Sequence, residues 1–184
     1  MDSLRISFEL SASDLAHFRD LLRDTKGVAK GLSEGQILTA AAALLDDVQR
    51  AHPPEFIADR MQALRGLIEL MRDEEFALAK EFRGRVATAL AYFADPDDLI
   101  PDSVPGLGFL DDAIMVEIVL RELKHEVEAY ADFRKARDAR RKRKAKDPAA
   151  EAEFIETERR RLFDRIRARR RRARAHHGTS SDFF

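Results

Sequence analysis

The densest chemistry in the chain is a run of acids. Asp95, Asp97, Asp98, Asp102, Asp111 and Asp112 put six carboxylates within 18 residues. Oxygen-rich clusters of this kind hold magnesium, calcium or manganese. Asp98, Asp102, Asp111 and Asp112 are the candidate ligands. The spacing is not that of an EF-hand, because no D-x-D-x-D-G run leads to a closing Glu. Helix starts attract acids for a different reason, since a carboxylate there meets free backbone N–H groups and the positive end of the helix dipole. Capping and turn-making therefore account for the cluster without a metal, and no metal, catalytic residue or cofactor is assigned.

The remaining candidates for catalysis are thin. His17, His52 and His125 stand alone, and His176 and His177 close a basic run. His125, between Glu122 and Glu126, lacks a second histidine at helical spacing. There is no cysteine, which excludes thiol catalysis, thiolate zinc and iron–sulfur clusters. No phosphate loop, nucleophile elbow or dinucleotide fingerprint is present. A non-enzymatic role is the expectation.

The charge distribution carries more. The formal net charge of −1 hides an asymmetry. Residues 134–174 hold 19 Lys/Arg and 7 Asp/Glu, a net of +12, and the rest holds 14 and 27, a net of −13. Two clusters stand out, Arg140, Arg141, Lys142, Arg143 and Lys144, and Arg169, Arg170, Arg171 and Arg172. Such clusters contact phosphates in a salt-sensitive, sequence-independent way, or lie on anionic lipid. They pair equally well with acidic protein, including the chain's own acidic part. Base stacking is poorly supported, because aromatics in the arm are few.

These residues must be positioned by helices. Ser11 with Asp14, and Ser33 with Gln36, read as capping boxes opening two helices, the first with Leu10 and Leu15 as a hydrophobic staple. His52-Pro53-Pro54 ends the second. Ile57, Met61, Leu64, Ile68 and Met71 give the third helix a 4, 3, 4, 3 seam of the coiled-coil type. A fourth is expected over residues 74–93. A fifth starts near Asp111 with Val116, Leu120, Leu123, Val127 and Tyr130 and continues toward residue 146. Asp147-Pro148 reads as a cap and first turn, opening a last helix to about residue 175. Its stripe of Ile155, Leu162, Phe163 and Ile166 is narrow, enough for one partner helix. Residues 4–10 alternate with period two, as a strand or an extended arm would. No signal-peptide pattern or apolar run of membrane-spanning length is visible.

The connector between the fourth and fifth helices is distinctive. Tyr92, Asp95, Pro96, Asp98, Leu99, Ile100, Pro101, Asp102, Pro105, Gly108, Asp111 and Asp112 fall at offsets that resemble the YkvA-like family, a bacterial domain of unknown function. The resemblance covers about residues 82–125. Family members tend to be more apolar here and membrane-associated. In this chain Arg83, Arg85, Glu117 and Arg121 flank or interrupt the apolar runs.

The expectation is an all-α fold. Residues 1–133 form an acidic body, a compact bundle of four to five helices with a short N-terminal extended segment. Residues 134–184 form a projecting basic helical arm with a disordered tip. The expected function is that of an interaction protein, with a protein partner or self-association and with the arm on an anionic partner. It is placed in the cytoplasm or at the inner face of the membrane. The alternatives are a nucleic-acid-associated protein, a peripheral membrane protein and a cation-dependent enzyme at the acidic connector.

Overall fold

The computed structural model describes residues 9–94, 104, 107–142 and 147–177. Among them the chain is all-helical: α1 (Ala12–Gly31), α2 (Glu34–Ala51), α3 (Glu55–Arg72), α4 (Lys80–Leu90), a 3-10 turn (Ala91–Ala94), α5 (Leu110–Glu122), α6 (Lys124–Lys142) and α7 (Pro148–His177). The expected strand or arm at residues 4–10 falls mostly outside the described residues, as does the tip beyond residue 177.

The local signals act where they stand. Ser11 and Ser33 cap α1 and α2, and Asp14 and Gln36 bond back to the cap N–H groups in two complete capping boxes. His52 takes a left-handed conformation at the end of α2 and Pro54 caps α3. Asp147 accepts the Ala149 N–H at 3.0 Å at the start of α7.

Among the described residues there are seven α-helices rather than four or five in a body plus an arm; one difference adds a helix and a second moves a boundary. The expected helix from residue 111 onward is broken at Leu123, whose φ of −99° and ψ of 15° leave the helical region. No proline or glycine marks the break. It redirects the chain, since α5 packs on α3 whereas α6 packs mainly on α7. The expected fourth helix starts at Lys80, not near residue 74. Asp73 Oδ1 accepts the N–H groups of Glu75 and Phe76 at 3.1 and 2.9 Å, and Ala77 sits at φ 41°. This turn competes with the helix locally and delivers Phe76 to the core.

Phe76 is the centre of an aromatic cluster. Its ring lies 5.2 Å from Tyr130, 5.1 Å from Phe133 and 5.3 Å from Phe163, and Phe163 lies 5.8 Å from Phe82. The angles are tilted or edge-on, as aromatic quadrupoles prefer. Phe163 belongs to the basic arm, so the expected projection of that arm is corrected. Leu162, Phe163 and Ile166 are buried with the rest of the core. The helix folds back because its apolar stripe is otherwise exposed to water and the cluster around Phe76 is otherwise open on one side. Ion pairs fix the direction: Arg140 meets Glu151, Asp132 meets Arg165, Glu128 meets Arg169 and Glu126 meets Arg170. Residue numbers fall on one helix as they rise on the other, so α6 and α7 form an antiparallel hairpin.

Cutting a buried side chain from α7 tests this packing. Leu162→Ala should lower the unfolding free energy by about 2–5 kcal/mol, the range for large-to-alanine core changes, with Phe163→Ala at least as costly. Urea denaturation followed by circular dichroism reads it. An effect below about 0.5 kcal/mol, typical of surface sites, would show that α7 is not part of the core.

Candidate functional site

Three helices converge on one carboxylate. Glu126 lies on α6 on the same face as Leu123, Tyr130 and Phe133, and its side chain is 0% exposed. Arg170 of α7 donates to its Oε1 through Nη2. Arg85 of α4 approaches the same oxygen with Nε at 3.8 Å. The two arginine side chains are only 13% and 11% exposed. An isolated buried ion costs several kcal/mol, so this acid holds its place only with both guanidiniums nearby.

In front of this triad, α4 and α7 enclose an open cleft of about 700 Å³. Arg85 comes from α4, and Arg167, Arg170 and Arg171 come from one face of α7, at the 3, 4 spacing of a helix. The guanidiniums of Arg167 and Arg170 lie 5.9 and 5.7 Å from the centre of the Phe82 ring, within cation–π range. Arg167 donates to Glu81 at 2.7 Å and to Asp164 at 2.9 Å.

A second network ties the turn before α4 to α6. Tyr130 donates to Asp73 Oδ2 at 3.0 Å, and Arg137 Nη1 reaches the same oxygen at 2.8 Å and Glu75 at 2.7 Å. Arg141 adds a contact to Glu75 at 2.7 Å. Burial alone would raise the Asp73 pKa. The Phe76 N–H, Arg137 and the Tyr130 hydroxyl outweigh it and hold the carboxyl below its ordinary value. Burial first, and then the Asp73 charge, push the Tyr130 phenol up to about 12.

An apolar groove of about 810 Å³ runs on another face between Leu15, Ile57, Leu110 and Ile114. It includes Phe56 and Leu107, the exposed large hydrophobics among the described residues, at 44% and 49%. Among the described residues no helix is long and apolar enough to cross a membrane, and no group of three or more His, Asp or Glu is placed to hold a metal ion.

Residues 83–118, from α4 through the connector into α5, match the family model described as protein of unknown function (DUF1232). The chain is also similar to the uncharacterized membrane protein YkvA of Bacillus subtilis (strain 168), 37% identical over 49 residues. That match spans 27% of this chain and 46% of the relative. Residues 83–118 are a YkvA-like segment of unknown function. No solved structure matches the chain.

Within the YkvA-like segment the motif residues are distributed as follows. Tyr92 lies in the 3-10 turn, and Gly108, Asp111 and Asp112 are buried at the start of α5. Phe109 caps that helix at φ 65° without a side-chain bond, and the two aspartates occupy its first turn, where the dipole favours them. Asp95, Pro96, Asp98, Leu99, Ile100, Pro101, Asp102 and Pro105 lie outside the described residues, as do Arg143 and Lys144.

The two basic clusters sit at opposite ends of the α6–α7 hairpin. Arg140 and Arg141 pair with Glu151 and Glu75, and Arg169 and Arg170 pair with Glu128 and Glu126. Lys142, Arg171 and Arg172 are exposed. Sequence reasoning missed Arg85, Asp73 and Glu126. A signal existed for two of them. Glu126 interrupts the seam of Leu123, Tyr130 and Phe133, and Arg85 falls three residues after Phe82 on the buried face of α4.

Removing the acid strands the arginines. Glu126→Ala should destabilise the fold by about 3–5 kcal/mol, as breaking a buried pair does, read by chemical denaturation. A change under about 1 kcal/mol would mean a surface-type pair.

The Asp73 network predicts a pH dependence at both ends. A depressed native carboxyl pKa contributes stability that is present above 3.8 and lost as pH falls through the lower native value. A raised phenol pKa contributes stability that is present below 10.0 and lost as pH rises toward about 12. Asp73→Asn should flatten the acid limb of a stability–pH curve, and Tyr130→Phe should flatten the alkaline one.

Proposed function

We propose that the protein is a non-enzymatic helical interaction module that engages an anionic partner through the end of the hairpin where α7 meets α4. The observation that carries this reading is the charge left after internal pairing. Much of the arm's positive charge is taken up by the body: Arg165, Arg167, Arg169 and Arg170 each contact an acid on another helix. Arg171 and Arg172 are exposed and form no ion pair among the described residues. Arg171 stands beside the YkvA-like segment, lining a cleft with Gly84, Arg85 and Thr88, and the antiparallel register carries Arg172 past the start of α6. Lys142 is exposed at the far end of the hairpin, about 25 Å away at 1.5 Å per residue along α6.

A polyanion in this reading meets a compact basic patch rather than a long basic stripe. Nucleic acid and an anionic membrane surface present the same charge. The similarity to YkvA, an uncharacterized membrane protein, supports a place at a membrane, and in this reading the chain is held peripherally at its inner face.

Two assays on the full chain test the reading: anisotropy with labelled DNA and RNA, and co-sedimentation with phosphatidylglycerol against phosphatidylcholine vesicles. Binding to at least one polyanion should weaken steeply with salt. The Arg171→Ala/Arg172→Ala pair should lower the salt slope by about two on nucleic acid, one per lost phosphate contact, and Lys142→Ala should change it less. No binding to any of these at low salt would overturn the reading.

A further inference from the structure

The cleft between α4 and α7 has the composition of a site for one group. Four arginines and one glutamate line it, and the glutamate, Glu81, is already held by Arg167. Another polar cleft, between α2, α3 and α6, sets Asp46, Glu69 and Asp73 among its arginines and has no comparable excess. We propose that the α4–α7 cleft is a binding site for a phosphate group, taken in by Arg85, Arg167, Arg170 and Arg171 beside Gly84. This rests on the anionic-partner reading and narrows it from a patch to a pocket.

Guanidinium is the group that suits this task. It is planar, permanently charged and presents five donors in a fork that matches phosphate oxygens. The donors of Arg170 and Arg171 are only partly committed. Arg170 bonds Glu126 through Nη2, while its Nη1 makes no hydrogen bond among the described residues. Arg171 carries no ion pair among the described residues. Glu126, behind the cleft, holds Arg170 through Nη2 and leaves Nη1 uncommitted. The Phe82 ring, facing both Arg167 and Arg170, positions their planes.

Space is provided as well as charge. Gly84 lines the cleft, and a Cβ built there meets nothing within 4 Å. A longer side chain at this exposed position therefore extends into open space beside the cleft. A volume of about 700 Å³ is enough for a phosphate together with the molecule that carries it. Phosphate on a lipid headgroup, on a nucleic-acid end and free in solution share this chemistry.

The test uses the full chain and inorganic phosphate, titrated by calorimetry against chloride at matched ionic strength. Saturable binding of one phosphate per chain is expected. Arg171→Ala should weaken it about tenfold, equivalent to about 1.4 kcal/mol. Gly84→Glu, which fills the cleft with a carboxylate on a helix that welcomes glutamate, should abolish it with the thermal melt retained. Gly35→Glu makes the same charge change at an exposed glycine with open space around it, and should leave binding intact.

Two further arms identify the carrier: phosphatidic acid vesicles, and an oligonucleotide with or without a 5′-phosphate. A carrier whose binding Gly84→Glu abolishes supports the site and names the source. Absence of saturable phosphate binding overturns the site, even if polyanion binding persists and the broader reading stands. Phosphate binding that Gly84→Glu leaves unchanged overturns it too. Loss of both phosphate and polyanion binding in the unaltered chain removes the site and the broader reading together.

Discussion

Glu126 is the constraint around which the C-terminal half is arranged. A carboxylate at 0% exposure cannot be left alone in a protein interior. Its two guanidiniums come from α4 and from α7, helices about 80 residues apart in the chain. Satisfying this acid therefore requires the arm to return to the body and to lie antiparallel to α6. The aromatic cluster at Phe76 supplies the apolar driving force for the same docking. Each element supports the other, since the ion triad is buried only once the rings pack, and the rings are covered only once α7 lies across them.

Much of the helical scaffold was legible in the sequence, for local reasons. Ser11, Ser33, Pro54 and Asp147 end or open helices through contacts within a few residues, and such signals survive without knowledge of the fold. The narrow stripe of Leu162, Phe163 and Ile166 suits one partner helix, and α6 is the main one, but Phe163 also reaches Phe76 in the turn before α4 and Phe82 of α4, which the stripe did not announce. What stayed hidden was long-range. Phe76 stands among charged residues and looks like part of an exposed helical face until Tyr130, Phe133 and Phe163 surround it. The break at Leu123 has no proline or glycine to announce it, because it serves packing rather than local preference.

The candidate site was legible only in part. Counting charge located the arm and its clusters, but it could not separate arginines held by the body from those facing water. Arg169 and Arg170 look identical to Arg171 and Arg172 in a run of four. Helical periodicity and the register of the hairpin divide them, placing the first two against Glu128 and Glu126. The charge asymmetry is thus first a folding device, and any outward role belongs to the remainder.

The hairpin also bears on how the chain comes off the ribosome. Arg167 meets Glu81 across 86 residues of sequence, so α4 is synthesised long before the helix that covers it. During that interval the Phe76 and Phe82 rings lack their cover, and the apolar face of α4 is available to other chains. Closure of so distant a contact also costs loop entropy before it is rewarded. The nascent protein is therefore most exposed to misassembly late in translation, and Glu126, Glu128 and Asp132 in the first half of α6, made ahead of the arginine-rich α7, give that closure an electrostatic guide.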